Sequence, residues 1–79
     1  MQEPELLRVE WLDSNTHDGW HDPKAQEYSA LPISSVGFLI FKDDHCVVLA
    51  PSASWGEHYQ VCSTMTIPRG CITSITKIG

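Results

Sequence analysis

The sequence predicts a mainly β fold, a small closed barrel of five strands with one long early loop, and three observations carry that expectation. Its 79 residues leave room for one domain, because domains cluster near 100 to 150 residues and a chain this short buries only about 60% of its extended surface. Apolar residues make up 42% of it and charged residues 19%, the balance of a chain that folds rather than of charge-rich disorder. Its apolar residues fall in short runs with a two-residue period, separated by clusters of Asp, Ser, Asn, Gly and Pro, the punctuation of strands and turns.

The first run is LLRVEWL, residues 6 to 12. Leu7, Val9 and Trp11 share one face, and Arg8 and Glu10 the other. Asp13, Ser14 and Asn15 end it with short side chains that bond readily to their own backbone. Residues 13 to 32 are the least regular stretch and are expected to lie over one end of the core. Within them, Asp22 and Pro23 read as an N-cap and first helical position, so PKAQEYSAL is expected to make one or two helical turns before Pro32.

ISSVGFLIFK, residues 33 to 42, and HCVVLA, residues 45 to 50, are the strongest strands, with Asp43 and Asp44 as a two-residue hairpin connection. Gly37 marks a bend or bulge. PSASWGE, residues 51 to 57, reads as a loop, and HYQVCSTMTI as one strand with neither face uniformly apolar, a candidate for an edge or a subunit interface. After the break at Pro68, Arg69 and Gly70, the spacing of Ile72, Ile75 and Ile78 calls for a short 3₁₀ turn before the last strand. Five such strands fit an SH3-like or Sm-like small barrel, with an open antiparallel meander or an OB-like barrel as the alternative.

Charge limits the partners. Ten acidic residues stand against Arg8, Lys24, Lys42, Arg69 and Lys77, a formal net charge of −5, which argues against a broad nucleic-acid footprint, since such binding draws on many Lys and Arg. No apolar run reaches the roughly 20 residues of a membrane-spanning helix, and MQEPELLRVEW has neither the basic start nor the apolar centre of a signal peptide. A cytoplasmic location is the expectation. Cys46, Cys62 and Cys71 are odd in number and isolated, as reduced core thiols would be.

No arrangement of residues specifies catalysis. Ser52, Ser54 and His58 lie near one another but lack a G-x-S-x-G setting. His17, Asp18, His21 and Asp22 supply metal-ligand types, but Gly19 and Trp20 interrupt them and the expectation is a solvated loop. The chain is therefore read as a binding protein, not an enzyme, without cofactor or metal. Trp20 and Trp55, placed in or beside loops, offer rigid surface for a base or a partner. Arg69 offers a two-point grip on phosphate or carboxylate, with pairing to Asp13 as the structural alternative. Asp13 and Asn15 are candidates to accept from a ribose hydroxyl or a base edge.

Residues 67 to 75, IPRGCITSI, resemble the joint between the last two strands of Sm-like proteins. In that family the Arg of an Arg-Gly pair helps hold an RNA base in the central pore of a ring, and Arg69 and Gly70 match those positions. The hairpin FKDDHCVVLA departs from the family's Asp-x-x-x-Asn pattern, which removes the residue that would meet the base edge. The elements VEWLDS, GW, SSVGFLI, VVLAPS and IPRGCITSITKI together resemble a group of small bacteriophage and prophage proteins. That resemblance implies action in the host cytoplasm, as an anti-defence homo-oligomer sequestering a nucleotide-like signal, or as an inhibitor or adaptor of a host protein. An Sm-like RNA-binding ring is the third expectation.

Overall fold

Alternating side chains and short turns build seven strands, seen in a computed structural model that describes residues 3–79. They are β1 (Leu6–Asp13), β2 (Leu31–Lys42), β3 (Cys46–Ala50), β4 (Ser52–Ser54), β5 (Gln60–Cys62), β6 (Met65–Pro68) and β7 (Ile72–Lys77), with a 3₁₀ turn at Arg69–Cys71. Five of them form one antiparallel sheet in the order β6-β3-β2-β1-β7, while β4 and β5 pair separately as a two-stranded hairpin.

The sheet is open, which corrects the expectation of a closed SH3-like or Sm-like barrel. Its two edge strands, β6 and β7, are consecutive in sequence yet are not paired with each other. The chain from Pro68 to Ile72 reaches at most about 14 Å, whereas five strands laid flat place their edges roughly 19 Å apart. The sheet must therefore curl until its edges come near, and the 3₁₀ turn joins them at one corner. Closure stops there, because β6 has only four residues and ends in Pro68, which has no N–H to donate to a ladder.

Register explains which face is buried. Leu7 lies opposite Gly37, Val9 opposite Ser35 and Ile75, and Leu39 opposite Leu49, and residues directly opposite share a face. That concave face carries Leu7, Val9, Val47, Leu49 and Ile67, with Trp11, Leu39 and Ile72 packed against them. Trp11 keeps its ring nitrogen satisfied by donating to Ser35 Oγ at 3.0 Å. Gly37 is needed for close approach: a Cβ there would sit 2.9 Å from the Ala50 carbonyl oxygen. The β2 bulge falls later, between Leu39 and Phe41. Ile40 is the extra residue, so the alternation reverses: Phe41 goes outward with Val48, and Lys42 comes onto the face of Val47.

Several local expectations change. Only one turn follows Asp22, with Ala25 N–H donating to Asp22 O and Lys24 N–H to the Asp22 carboxylate, in place of the helix expected over PKAQEYSAL. Residues 14 to 25 are exposed throughout, so the long loop does not cover the core. The segment read as one strand after His58 is broken at Ser63, whose φ of 64° lies in the left-handed region that extended chains avoid. Its first half folds back on Ser52–Ser54, which was expected to be loop. Cys62 is exposed, unlike the core thiol expected; all three cysteines are free.

The hairpin between β2 and β3 is held by Asp43. Its Oδ1 accepts from the N–H groups of His45 and Cys46 at 2.8 and 2.9 Å, while its own N–H donates to Cys46 O. The connection thus takes three residues, Asp43 to His45, where Asp43 and Asp44 alone were expected. A carboxylate replaces the usual main-chain acceptor, so no residue of the turn requires positive φ. These two backbone bonds, with a smaller contribution from the Arg69 charge, hold the Asp43 carboxyl below its ordinary value of 3.8.

The sign of the resulting pH dependence follows. A carboxyl whose pKa is lowered on folding stabilises the fold at pH above its unfolded value, and that contribution is lost as pH falls through its folded value. Thermal melts at decreasing pH are expected to show a falling Tm below about pH 4. Asp43→Asn is expected to flatten that part of the profile, whereas an unchanged profile would show that the turn does not titrate with folding.

Candidate functional site

Two surfaces are candidates, and both arise from what the open sheet leaves uncovered. The first is the β4–β5 hairpin. Ser52, Ala53 and Ser54 lie opposite Cys62, Val61 and Gln60, every residue of β5 is exposed, and Tyr59 and Val61 are each 37% exposed. The molecule is long, with extents of 57 × 22 × 21 Å and a radius of gyration of 16.4 Å. A compact chain of this length has a radius of gyration near 12 Å, about 4 Å smaller.

At the hairpin's base, Trp55 packs on Phe38, with ring centroids 5.9 Å apart at a tilted angle. Trp55 is half-buried there and anchors the hairpin to the outer face of the sheet. Trp20 is the opposite case: it is fully exposed on the long loop. Nearby, His21 is hydrogen-bonded through Nε2 to the Tyr28 hydroxyl at 2.7 Å, and His17 packs on the Tyr28 ring. The loop is closed by Asn15, whose Nδ2 donates to Ser29 O at 2.9 Å. Asp13 accepts from the Ser14 N–H through Oδ1. Both polar side chains thus make local turn bonds.

The second surface is a cavity of about 250 Å³ at one end of the concave face, where Lys42, Arg69 and Lys77 surround Leu7, Leu39 and Val47. Arg69 is fixed by its backbone N–H donating to His45 O and by its Nε–H donating to Asp43 O at 3.0 Å. That carbonyl is open to the guanidinium because the Asp43 carboxylate, and not its carbonyl, takes the Cys46 N–H. Arg69 therefore bonds to Asp43, where pairing with Asp13 was the sequence alternative. None of Trp20, Trp55, Asp13 or Asn15 lines this cavity, so within one chain the five ligand candidates do not converge.

Lys42, Lys77, Tyr59 and Val61 were not singled out by sequence. Lys77 follows Ile75 in the two-residue period of β7, a legible signal. Lys42 reaches the concave face only through the bulge at Ile40, which no pattern in the sequence announces. Cys46, beside the same turn, has its thiol pushed up by partial burial and secondarily by the Asp43 charge, so it is held in the unreactive protonated form. Among the described residues, no cluster of three or more metal-ligating side chains occurs, and no helix is long and apolar enough to cross a membrane.

No family model, curated protein or solved structure matches this chain.

Proposed function

We propose that this protein is a protein-binding domain, acting as an inhibitor or adaptor by seating its exposed hairpin and aromatic residues on another polypeptide. The observation that carries this reading is surface in excess of what a folded monomer shows. The chain exposes 6002 Å², whereas a monomer of 8.8 kDa exposes about 4,800 Å². The excess, roughly 1,200 Å², exceeds the ~800 Å² that each partner contributes to a standard protein interface.

The character of the β4–β5 hairpin supports a polypeptide partner. A two-stranded sheet is at best marginally stable in water by itself, and β5 is exposed along its whole length, so β4–β5 gains from a surface laid against it. Residues 52 to 64 contain one carboxylate, Glu57, and no Lys or Arg, which gives the hairpin the low charge typical of an interface centre. Trp20 and Tyr28 on the long loop add exposed aromatic area of the kind that dominates binding energy.

Native mass spectrometry of the chain purified from bacterial lysate tests the reading. The expected species contains a second polypeptide, and Val61→Asp is expected to weaken its retention about tenfold or more by burying an unpaired charge. A single chain without a second polypeptide, with Val61→Asp indistinguishable from it, would overturn the reading.

A further inference from the structure

We infer that the cavity ringed by Lys42, Arg69 and Lys77 binds a small organic phosphate, a phosphate or pyrophosphate group attached to an apolar or aromatic body. The inference is independent of the hairpin and concerns the opposite end of the molecule's chemistry, a charged pocket in place of an apolar rim.

Placement of the lysines is the first observation. Lys42 lies opposite Val47, and Lys77 opposite Leu7, both of which are core residues exposed by no more than 5%. Two lysines thus stand on the apolar face, where a hydrophobic residue would extend the core. An inward lysine on an edge strand also discourages aggregation, and that serves for Lys77 on β7. Lys42 likewise lies past the last β1–β2 pair, Leu6 with Phe38, where β2 is paired with β3 alone, so the case for a ligand rests on the charge these lysines add beside Arg69.

Charge is the second. Three of the chain's five basic residues meet here although the net charge is −5. Glu5 is the one carboxylate at the cavity, and among the described residues the only ion pair is Arg8 with Glu10. Glu5 and the Asp43 carboxylate, whose charge interacts with Arg69, offset the three cations only in part, and an anion relieves the repulsion that remains.

Shape decides the class. Arg69 uses Nε on the Asp43 carbonyl, which fixes the guanidinium plane and leaves its terminal nitrogens to grip two oxygens of one phosphate. The lysines supply point charges to the remaining oxygens, and the floor of Leu7, Leu39 and Val47 receives the apolar body. A volume of about 250 Å³ lies just under the ~300–1,000 Å³ of ordinary small-ligand sites, suited to a small aromatic body of one or two fused rings with its phosphate.

Titration of the full chain with 1-naphthyl phosphate, followed by backbone amide resonances, is the test. Saturable shifts are expected at Leu39, Lys42, Arg69 and Lys77, with 1-naphthol and inorganic phosphate each binding at least tenfold more weakly than the joined molecule. Arg69→Gln and Lys77→Gln are each expected to weaken binding about tenfold or more, while Lys77→Arg retains it; the same spectra report whether each variant is folded. Equal binding of 1-naphthol, equal binding by the folded Gln variants, or shifts that fail to saturate would overturn the site. Tighter binding of a short phosphoserine peptide than of naphthyl phosphate would overturn the small-ligand assignment in favour of a peptide.

Discussion

Ile67→Ala is expected to destabilise the protein by about 2–5 kcal/mol, read as a shift of the denaturant midpoint with unchanged slope. Ile67 is fully buried, as are Val9 and Val47, and it belongs to a core of only five clustered buried residues. Truncation removes the transfer energy of its side chain and leaves a cavity that the short β6 cannot collapse to fill. A domain of this size has roughly 4–12 kcal/mol in total, so one substitution consumes a large share of it. A loss below about 1 kcal/mol would show that the concave face is not the principal core.

Gly37→Val is expected to cost about 3 kcal/mol or more, and the reason is geometric rather than hydrophobic. Any Cβ at this position meets the Ala50 carbonyl oxygen at 2.9 Å and Leu49 Cβ at 3.1 Å. One of these partners is main chain and cannot rotate away, so β2 and β3 must separate where Phe38 pairs with Ala50. Valine favours strands by propensity, which gives the experiment its discrimination. Were Gly37 merely a weak strand residue, Val would stabilise; the close approach predicts a falling Tm, with Gly37→Ala intermediate.

These cases also show what was legible in the residues and what was not. The face of β1 was read directly from Leu7, Val9 and Trp11, because its alternation continues without interruption to Asp13. A 3₁₀ turn and a strand after it were expected from the spacing of Ile72, Ile75 and Ile78 and are found at Arg69–Cys71 and Ile72–Lys77, but the spacing itself arises from the extra residue Thr73 in β7, between the partners of Glu10 and Trp11. The barrel did not form because closure depends on a ladder between β6 and β7, a pairing between distant parts of the sheet that single-strand patterns do not specify. Ser63 was invisible for a different reason: a serine carries no mark of positive φ, and HYQVCSTMTI, with neither face uniformly apolar, offered no change of pattern at that position. Lys42 was hidden by the bulge at Ile40, which reverses the phase of everything after it. At the candidate sites, Trp20 was correctly placed on a loop, whereas Trp55 turned out to be an anchor on Phe38.

The bend at Ser63 divides the chain's responsibilities. Residues 52 to 62 contribute nothing to the buried cluster, and their backbone bonds are made within the hairpin itself. Substitutions there can accumulate without repacking Val9, Val47 or Ile67. The hairpin is thus free to diverge at the pace of whatever it meets, on a scaffold that has no reason to change with it.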